Sequence, residues 1–413
     1  MQTKKQKVVG IIAEFNPFHN GHRRLIDYAR EALHADHVII AMSGNFVQRG
    51  EPAVTDKFTR TRMAVASGAD LVFELPAAFS CAAAGDFARA GVSLLEKTGV
   101  TDTLLFGTEG SVSLPFLREA SKHISMESPE FSAILSRELK GGKTYPKARE
   151  AALSAVLSGN EELAALSSPN NILALEYLAA LSERSSVIKA ETLARSGDGY
   201  HAPVPEDASF TSATALRGIL QERSLSALTP YVPQNLLPQY EHLITGETSL
   251  YPARQDVLGA ALSYVLLNQR SQGFSRFSDV SEELANRISR SADELLGFQD
   301  RIRRLWTKQY TRSRISRALL HIYLGITKEM CAELKAKDYV PWLRLLGFSE
   351  NGRALLPLLK EAAKVPVLTN AAAARDVLSE EIRISNLYYS LLVANGKPVP
   401  NEYERQIVSP FTP

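Results

Sequence analysis

The most informative stretch of this chain is residues 8–22, Val-Val-Gly-Ile-Ile-Ala-Glu-Phe-Asn-Pro-Phe-His-Asn-Gly-His. The apolar run 8–12 is typical of a buried strand, and a helix over residues 19–33 is predicted to follow it. His19 and His22 are three residues apart, so both imidazoles lie on one face of the first helical turn. The N-terminus of that helix offers unpaired N–H groups and a partial positive charge, which attract phosphate. The stretch therefore predicts a phosphate-binding turn between a strand and a helix.

Two further residues of the turn agree with this interpretation. Gly21 allows a nucleotide to approach the backbone closely, and Pro17 fixes the entry of the turn. Such a site suits in-line attack on an α-phosphoryl group, because the protein need only position reactants and stabilise charge. A zinc pair or a purely structural turn is the alternative. The remaining histidines form no convincing ligand set near the motif: His34, His37, His123, His201, His242 and His321.

Strands and helices alternate through the first part of the chain. Further short apolar runs at 37–42, 71–73 and 103–106 predict strands. Helices are predicted over 55–67, capped by Thr55 and ended by Gly68, and over 81–97. Near-continuous apolar strands that alternate with helices indicate an α/β fold with a parallel sheet covered on both faces.

The pattern becomes helical from about residue 115. One more strand is predicted at 187–193 and a short helix at 212–222, followed by a proline-containing connector. Residues 253–395 are predicted to be helical almost throughout. The examples are one helix over 295–324 and another over 343–363, interrupted near Gly347.

The composition of the chain limits the classes of protein to which it can belong. The chain has 413 residues with 45% hydrophobic and 22% charged residues, which excludes wholesale disorder and fibrous classes. Lys and Arg number 47 against 45 Asp and Glu, so bulk charge does not decide for or against a polyanionic partner. The two cysteines, Cys81 and Cys331, can form neither a disulfide framework nor a cysteine zinc site. No apolar stretch approaches the roughly 20 residues of a membrane helix, and the run 8–13 is too short for a signal peptide. We expect a soluble cytoplasmic protein.

The strand, proline turn, H-x-G-H and helix together resemble the nucleotidyltransferase superfamily of adenylyltransferases and class I aminoacyl-tRNA synthetases. That superfamily has a second motif, I-S-S-T-x-I-R, which closes on the triphosphate. Here residues 210–217 occupy the equivalent place, and Ser212, Thr214 and Arg217 match the motif. The residues that depart from it are Thr211, Ala213 and Leu216. Ser and Thr at a helix start are also ordinary caps. By this resemblance Arg217 would balance the charge of the leaving pyrophosphate.

Four longer segments narrow the resemblance. They are F-N-P-F-H-N-G-H, M-S-G-N-F-V-Q-R-G-E-P-A, D-L-V-F-E-L-P and S-P-N-N-I-L. Together they resemble the family of the bacterial tRNA(Met) cytidine acetate ligases over most of the chain. The resemblance implies that ATP, with Mg²⁺ bridging its phosphates, activates acetate as acetyl-adenylate. The acetyl group then goes to N4 of the wobble cytidine of elongator tRNA(Met), which forms N4-acetylcytidine.

The same resemblance implies an ATP site and a domain division. His19, His22 and Arg217 would be catalytic, and no residue is predicted to bind a metal. The ATP-binding residues it implies are Ile12, Ala13, Glu14, Phe15, Asn16, Pro17, Phe18, His19, Asn20, Gly21, His22, Arg23, Arg24, Leu25, Gly107, Asn170, Asn171, Arg195, Ser212 and Thr214. The predicted fold is a Rossmann-like nucleotidyltransferase sheet followed by a mainly helical C-terminal region. The predicted divisions are an ATP-binding catalytic domain at 1–225, a connector at 226–252 and a helical tRNA-binding region at 253–413.

A basic run in the helical region predicts the RNA contact. Residues 301–328 contain eight Lys or Arg and no Asp or Glu, with Trp306, Tyr310 and Tyr323 interleaved. Such a run lacks the i,i+4 acidic partners of an ordinary solvated face, so it favours phosphate binding. The predicted tRNA-binding residues are Arg301, Arg303, Arg304, Lys308, Arg312, Arg314 and Arg317. The alternative is a solvated helix face with core aromatics. In that case the RNA contact would lie around Arg49, Lys57, Arg60 and Arg62.

Two other functions stay open on the sequence. A small-molecule adenylyltransferase of cofactor synthesis would have the same first domain, although it would not need the long basic helical region. A non-catalytic nucleotide-sensing RNA-binding protein is the second, although the intact His19, His22 and Arg217 argue against it. Acetate and elongator tRNA(Met) are the expected partners, and no obligate protein partner or membrane is expected.

Overall fold

The computed structural model describes residues 6–411 except 127, 158, 195–211, 246–256, 394–398 and 400. The predicted ATP-binding residue Arg195 lies outside the described residues, as does Thr211 of the second motif.

A seven-stranded sheet forms the centre of the fold, with strand order β7-β6-β1-β2-β5-β8-β9. The strands are β1 (Val8–Ala13), β2 (His37–Ser43), β3 (Phe46–Val47), β4 (Glu51–Pro52), β5 (Leu71–Leu75), β6 (Thr103–Thr108), β7 (Lys189–Ala194), β8 (Leu343–Phe348) and β9 (Val367–Leu368). All neighbours in the sheet are parallel except β5 and β8, which are antiparallel. Strands β3 and β4 form a separate antiparallel hairpin. The α/β fold with a mostly parallel sheet is confirmed, including all five strands predicted before residue 200.

Helices cover both faces of the sheet and form the C-terminal region. The α-helices are α1 (Asn20–Glu31), α2 (Lys57–Ala66), α3 (Ala77–Ser80), α4 (Ala84–Lys97), α5 (Leu114–Ser125), α6 (Pro129–Lys140), α7 (Tyr145–Val156), α8 (Pro169–Glu183), α9 (Ala213–Gln221), α10 (Leu225–Leu228), α11 (Leu237–Thr245), α12 (Val257–Gln269), α13 (Glu282–Arg290), α14 (Phe298–Leu305), α15 (Arg312–Leu324), α16 (Lys328–Ala336), α17 (Glu350–Arg353), α18 (Leu356–Ala362) and α19 (Ser379–Val393). Short 3₁₀-helices span Glu161–Ser167, Thr229–Tyr231, Gln234–Leu236, Arg270–Gln272 and Glu402–Glu404.

Alternate residues of the central strands enter two different cores. Val8 and Ile12 of β1 pack on one face of the sheet with helices α4, α5 and α8. Val9 and Ile11 pack on the other face with α1, α2, α9 and α11. This period of two explains why the central strands are apolar at most positions rather than at every second one. A third core, formed mainly by α12 to α16 and α19, belongs to the helical region.

Local capping differs from the prediction at two helices. Asp56, not Thr55, caps α2, because its carboxylate accepts hydrogen bonds from the N–H groups of Phe58 and Thr59. Thr55 is buried one residue earlier. The helix predicted over 81–97 begins at Ala84, since the short helix α3 takes up the chain before it.

Two helices predicted in the C-terminal half are wrong. Residues 343–348 form the buried strand β8 rather than the start of a helix, and β8 pairs with β5. A short apolar run does not distinguish a buried strand from a buried helix by its periodicity, so the partner strand decides. The predicted helix 295–324 is divided into α14 and α15, and the side chain of Thr311 caps α15.

The predicted division of the chain stays a prediction, but the sheet crosses it. Strands β8 and β9, from the predicted helical region, extend the sheet beside β5. The predicted connector contains α10 and α11, and Tyr240 of α11 donates a hydrogen bond from its hydroxyl to the Phe18 carbonyl. The segment after residue 225 is therefore packed beneath the predicted phosphate-binding turn.

A buried ion-pair cluster joins the sheet to the C-terminal segment. The Lys57 Nζ lies 2.7 Å from Glu74 Oε1 and 2.7 Å from Glu402 Oε1, and it donates to Ser385 Oγ at 2.9 Å. Arg344 of β8 lies 3.0 Å from Glu74 Oε2 and also pairs with Glu402. Because these charges lie out of water, each depends on the others for compensation.

A buried carboxyl beside this cluster predicts a pH-dependent stability. Both oxygens of Glu381 accept from the Ala77 N–H, at 3.1 and 3.0 Å. Burial, helped by the charge of Glu74, raises the pKa of Glu381 to about 8. An unfolded carboxyl titrates near 4.3. Protonation of Glu381 therefore contributes fully to the free energy of unfolding at acidic pH. This contribution is lost as the pH rises toward 8, at up to about 1.4 kcal/mol per pH unit.

We expect Glu381→Gln, which keeps an acceptor for the Ala77 N–H, to remove this contribution. Between pH 6 and 8.5 the free energy of unfolding should fall less in the variant than in the wild type, as measured by urea denaturation. Glu380→Gln is the matched control, because Glu380 is an exposed acid on the same helix, paired with Arg383. Equal pH dependence in wild type and Glu381→Gln would contradict the assignment.

Candidate nucleotide site

The site lies where the strand order reverses. From β1 the sheet continues through β2 and β5 on one side and through β6 and β7 on the other. The carboxyl ends of parallel strands meet at one edge of the sheet, and the crevice at such a reversal is where α/β sheets bind ligands. The H-x-G-H turn follows β1 at that edge, and the stretch after Gly107 follows β6 there.

The turn between β1 and α1 is held by one side-chain hydrogen bond and by two buried rings. Phe15 has a positive φ of 50°, and the Asn16–Pro17 peptide is cis. The Asn16 side chain accepts a hydrogen bond from the Val54 N–H at 2.8 Å. Phe15 and Phe18 are fully buried and anchor the turn in the core beneath it. A Cβ on Gly21 would lie 2.9 Å from the His19 ring, so this position suits glycine.

His19 and His22 cap the helix that they begin. The His19 Nδ1 accepts from the Gly21 N–H at 3.0 Å, and the His22 Nδ1 accepts from the His19 N–H at 3.2 Å. This is the reciprocal pattern of a capping box, with imidazoles in place of the usual side chains. The two rings stack with centroids 3.7 Å apart, and the Phe15 and His22 rings lie edge to face with centroids 4.9 Å apart.

The capping bonds assign the tautomer of both rings. An Nδ1 that accepts a hydrogen bond carries no proton, so the neutral ring has its proton on Nε2. In the neutral form each imidazole therefore carries its proton on Nε2, in the first turn at the positively charged end of α1. Two stacked donors at a helix N-terminus are suited to hold phosphoryl oxygens as negative charge develops on them.

Arg217 is brought to the same turn from almost 200 residues away along the chain. Its Nη1 donates to the Asn16 carbonyl and its Nη2 to Thr214 Oγ1, both at 3.0 Å. Glu51 Oε1 lies 3.6 Å from Nη2. Ser212 caps α9 by accepting from the Ala215 N–H. The structure thus brings the two sequence motifs together.

The side chains of residues 12–25 have different surroundings. Ile12 lies in one core, and Leu25 of α1 packs partly buried against the core on the other face of the sheet. Arg23 pairs with Asp27 at 2.7 Å on the surface of α1. Asn20 donates to the Pro230 carbonyl at 3.0 Å, which ties the start of α1 to the segment after α10. Within residues 12–25, the polar groups of the turn come from the middle of the range.

Asn170 and Asn171 begin α8 opposite the end of β6. The fully buried Asn171 side chain accepts from the Glu109 N–H at 2.9 Å and donates to the carbonyls of Glu109 and Ala165 at 2.8 and 2.9 Å. Its amide is therefore used in holding the loop after β6. Asn170 is partly exposed and donates to the Glu109 carboxylate, so Asn170 is the more accessible of the two predicted contacts.

Arg60 and Glu14 are polar residues of the site whose roles the sequence did not reveal. Arg60 is fully buried and donates to the carbonyls of Glu14, Ser43 and Thr55 at 2.6, 3.0 and 3.1 Å. It therefore joins the chain after β1 to the end of β2. The Glu14 Oε1 accepts from the Gln48 N–H at 2.7 Å, and burial raises the pKa of the Glu14 carboxyl.

The structure divides the predicted basic run into buried and exposed residues. Arg301 is fully buried and donates to the Ser291 and Glu294 carbonyls at 3.0 and 2.6 Å. Arg317 is 8% exposed and pairs with Asp279 at 2.8 Å. These two side chains are not on the surface, because acidic and carbonyl partners outside 301–328 hold them. The expectation concerned acidic partners at i,i+4, whereas these partners lie farther away along the chain.

The other five predicted tRNA-binding residues are exposed or partly exposed. Arg303 pairs with Asp300, and Arg304 with Glu294 at 2.8 Å, both at the surface. Lys308 and Arg312 are exposed, and Arg314 lies over the Tyr310 ring. Trp306 is 49% exposed, whereas Tyr310 and Tyr323 are buried. Of the alternative RNA contacts, Lys57 and Arg60 are buried, and Arg49 and Arg62 are exposed.

The described part of the chain has neither a cluster of metal-ligating side chains nor a helix suited to a membrane. It contains no group of three or more His, Cys, Asp or Glu side chains placed to hold a metal ion. None of its helices is both long and apolar enough to cross a bilayer.

Comparison with known proteins gives a consistent result. The profile of the family described as HIGH Nucleotidyl Transferase matches residues 6–404. The chain is 37% identical over 377 residues to the tRNA(Met) cytidine acetate ligase of Fervidobacterium nodosum, covering 91% of this chain and 86% of that protein. It is 35% identical to the protein of the same name from Lysinibacillus sphaericus, covering 96% and 98%.

A solved structure covers the whole fold. The crystal structure of Thermotoga maritima TmcAL bound with alpha-thio ATP is 30% identical to this chain, with a TM-score of 0.87, and covers 98% of this chain and 99% of that one. The apo crystal structure of the same protein gives a TM-score of 0.88.

Proposed function

Because the chain belongs to the HIGH nucleotidyl transferase family, and within it to the tRNA(Met) cytidine acetate ligases, we propose that it is an ATP-dependent ligase. In this proposal it activates acetate and acetylates N4 of the wobble cytidine of elongator tRNA(Met). The observation that carries the proposal is the pair of stacked imidazoles at the N-terminus of α1, with Arg217 against the same turn. ATP binding also has support from the structural relative that holds an ATP analogue.

The first step is adenylation of acetate. A carboxylate oxygen of acetate attacks the α-phosphorus of ATP, and the bond from that phosphorus to the bridging oxygen breaks, so pyrophosphate leaves with the electron pair. The Nε2–H groups of His19 and His22 stabilise the charge that grows on the α-phosphoryl oxygens. Arg217 uses two of its N–H groups in the hydrogen bonds to Asn16 and Thr214. Its other N–H groups balance the charge of the departing pyrophosphate.

The second step transfers the acetyl group. The cytidine N4 attacks the carbonyl carbon of acetyl-adenylate, AMP leaves with the bridging oxygen, and the amine loses one proton. An exocyclic amine is a poor nucleophile, so the mixed anhydride makes the step feasible. The cytidine leaves its stack to reach the site, as bases do when enzymes act on them.

We propose that a Mg²⁺ ion enters with ATP, with phosphate oxygens of the nucleotide as its main ligands. When bound, the ion would neutralise phosphate charge. We further propose that the protein acts in the cytoplasm and needs no obligate protein partner.

Mass analysis of elongator tRNA(Met) tests the function. We expect incubation with the protein, ATP and isotope-labelled acetate to place one labelled acetyl group on the wobble cytidine. Pyrophosphate release with a mononucleotide acceptor and indifference to tRNA would instead support a small-molecule adenylyltransferase. ATP binding without turnover would support a nucleotide-sensing RNA-binding protein.

The exposed basic residues give a prediction for tRNA binding. We expect the triple change of Arg303, Lys308 and Arg312 to Glu to weaken tRNA binding strongly and to leave acetate-dependent ATP–pyrophosphate exchange intact. Each lost phosphate contact lowers the slope of log affinity against log salt by roughly 0.7 to 0.9. Arg301 and Arg317 are left unchanged, because they are buried.

The matched control reverses the same charge elsewhere. Lys140, Lys143 and Lys147 are exposed on and beside α6 and α7, and changing them to Glu alters net charge by the same amount. Affinity is measured at several salt concentrations. Equal loss in both triple variants would mean that net charge alone acts, and unchanged affinity in the first would exclude these residues from the contact.

A further inference from the structure

A hairpin connects the nucleotide site with the helical region. We call residues 44–54, which contain β3 and β4, the active-site hairpin. On one side the Gln48 N–H donates to Glu14 at 2.7 Å, and the Val54 N–H donates to Asn16. On the other side the Tyr388 hydroxyl of α19 donates to the Ala53 carbonyl at 3.1 Å. The hairpin therefore contacts both the H-x-G-H turn and the C-terminal helices.

The tip of the hairpin lies directly on helix α15. Ser316 Oγ donates to the Gly50 carbonyl at 2.8 Å. Gly50 has a φ of +80°, and a Cβ at this position would lie 2.4 Å from the Arg317 backbone nitrogen. The contact is with backbone, which cannot rotate away as a side chain can. Any side chain at residue 50 would therefore force the hairpin and α15 apart.

Glu51, the residue after Gly50, faces Arg217. Glu51 Oε1 lies 3.6 Å from Arg217 Nη2, whereas the hydrogen bonds of the guanidinium go to Asn16 and Thr214. Two of the five N–H groups of the guanidinium are used in these bonds. At 3.6 Å the Glu51 carboxylate thus attracts the guanidinium by charge without a hydrogen bond to the remaining N–H groups of Arg217.

We propose that Glu51 is a positioning residue for Arg217, and that the packing of Gly50 on α15 fixes Glu51 in place. This inference rests on the proposed function, because the phosphate role of Arg217 is part of it. Glu51 opposes the rotation of Arg217 away from the turn, and so keeps the guanidinium where pyrophosphate develops charge. Helix α15 begins with the exposed Arg312, so the same helix that carries a candidate tRNA contact also supports the adenylation site.

Two glycine variants test the packing. Gly50→Ala and Gly142→Ala both place alanine at a similar positive φ, +80° and +84°, but no described heavy atom lies within 4 Å of the Cβ at Gly142. Both should show a similar backbone penalty. We expect only Gly50→Ala to lower kcat for acetate-dependent ATP–pyrophosphate exchange without tRNA, by roughly tenfold to a hundredfold, since small misplacements of catalytic groups have effects of that size. The KM for ATP should change much less.

A second pair of variants, with smaller changes, tests the same packing if Gly50→Ala does not fold. Ser316→Ala removes the hydrogen bond to the hairpin, whereas Ser313→Ala on the same helix removes only a hydroxyl contact with Thr311. The kcat should fall in the first variant and stay unchanged in the second. Unchanged kcat in both Ser316→Ala and folded Gly50→Ala would overturn the role of the packing.

A double-variant cycle tests whether Glu51 acts through Arg217. Glu51→Gln should lower kcat in the wild type and have little further effect in the Arg217→Ala background, because the group that it positions is then absent. Glu31→Gln, an exposed acid on α1, is the control. Additive losses would overturn the proposal. If the wild type shows no acetate-dependent exchange at all, the proposed function fails, and that result is distinguishable from failure of the inference.

Discussion

Replacing His22 with alanine is expected to lower acetate-dependent ATP–pyrophosphate exchange by about a hundredfold or more, the size of effect seen when one transition-state charge stabiliser is lost. The imidazole presents Nε2–H from the first turn of α1, while its Nδ1 accepts from the His19 N–H. Alanine removes both interactions. The free energy of unfolding should therefore also fall, by roughly 0.5 to 1 kcal/mol for the lost cap.

The variant His22→Gln separates the two roles. Glutamine at this third helical position can accept from the His19 N–H, as in an ordinary capping box, but it presents no imidazole. We expect it to restore stability and to leave exchange low. His242→Ala, at an exposed histidine on α11, controls for histidine loss in general. Near-native exchange in folded His22→Ala would refute the catalytic assignment.

Replacing Lys57 with methionine is expected to destabilise the protein by about 3 to 5 kcal/mol, the range for removing one partner of a buried ion pair. The Lys57 side chain is fully buried 2.7 Å from both Glu74 and Glu402, so its loss leaves two carboxylates close together with less compensation. Urea denaturation measures the change in the free energy of unfolding.

Two further variants make this result specific. Lys335→Met breaks an exposed pair with Asp86 at 2.8 Å, and such pairs contribute at most about 1 kcal/mol. Adding Glu402→Gln to Lys57→Met should recover part of the loss, because one uncompensated charge is removed. If Lys57→Met and Lys335→Met cost the same, the cluster does not depend on mutual compensation.

Local patterns in the sequence were enough to predict the parallel core and the centre of the nucleotide site. The apolar runs of β1, β2, β5 and β6 are long enough and regular enough to be recognised one at a time. The H-x-G-H turn is equally local, because its capping bonds join residues at most three positions apart. Interactions of this range are present in the sequence as spacing, so pattern alone predicts them.

Features that depend on distant partners could not be predicted from such patterns. Strand β8 became a strand because β5, more than 260 residues earlier, offers it an unpaired edge. Arg301 and Arg317 became buried structural residues because carbonyls and Asp279 outside the basic run receive them. Glu51 reaches Arg217 because Gly50 packs on α15. A residue's charge is visible in the sequence, but its partner is set by how the chain closes on itself, and burial then decides whether that charge faces a ligand or the interior.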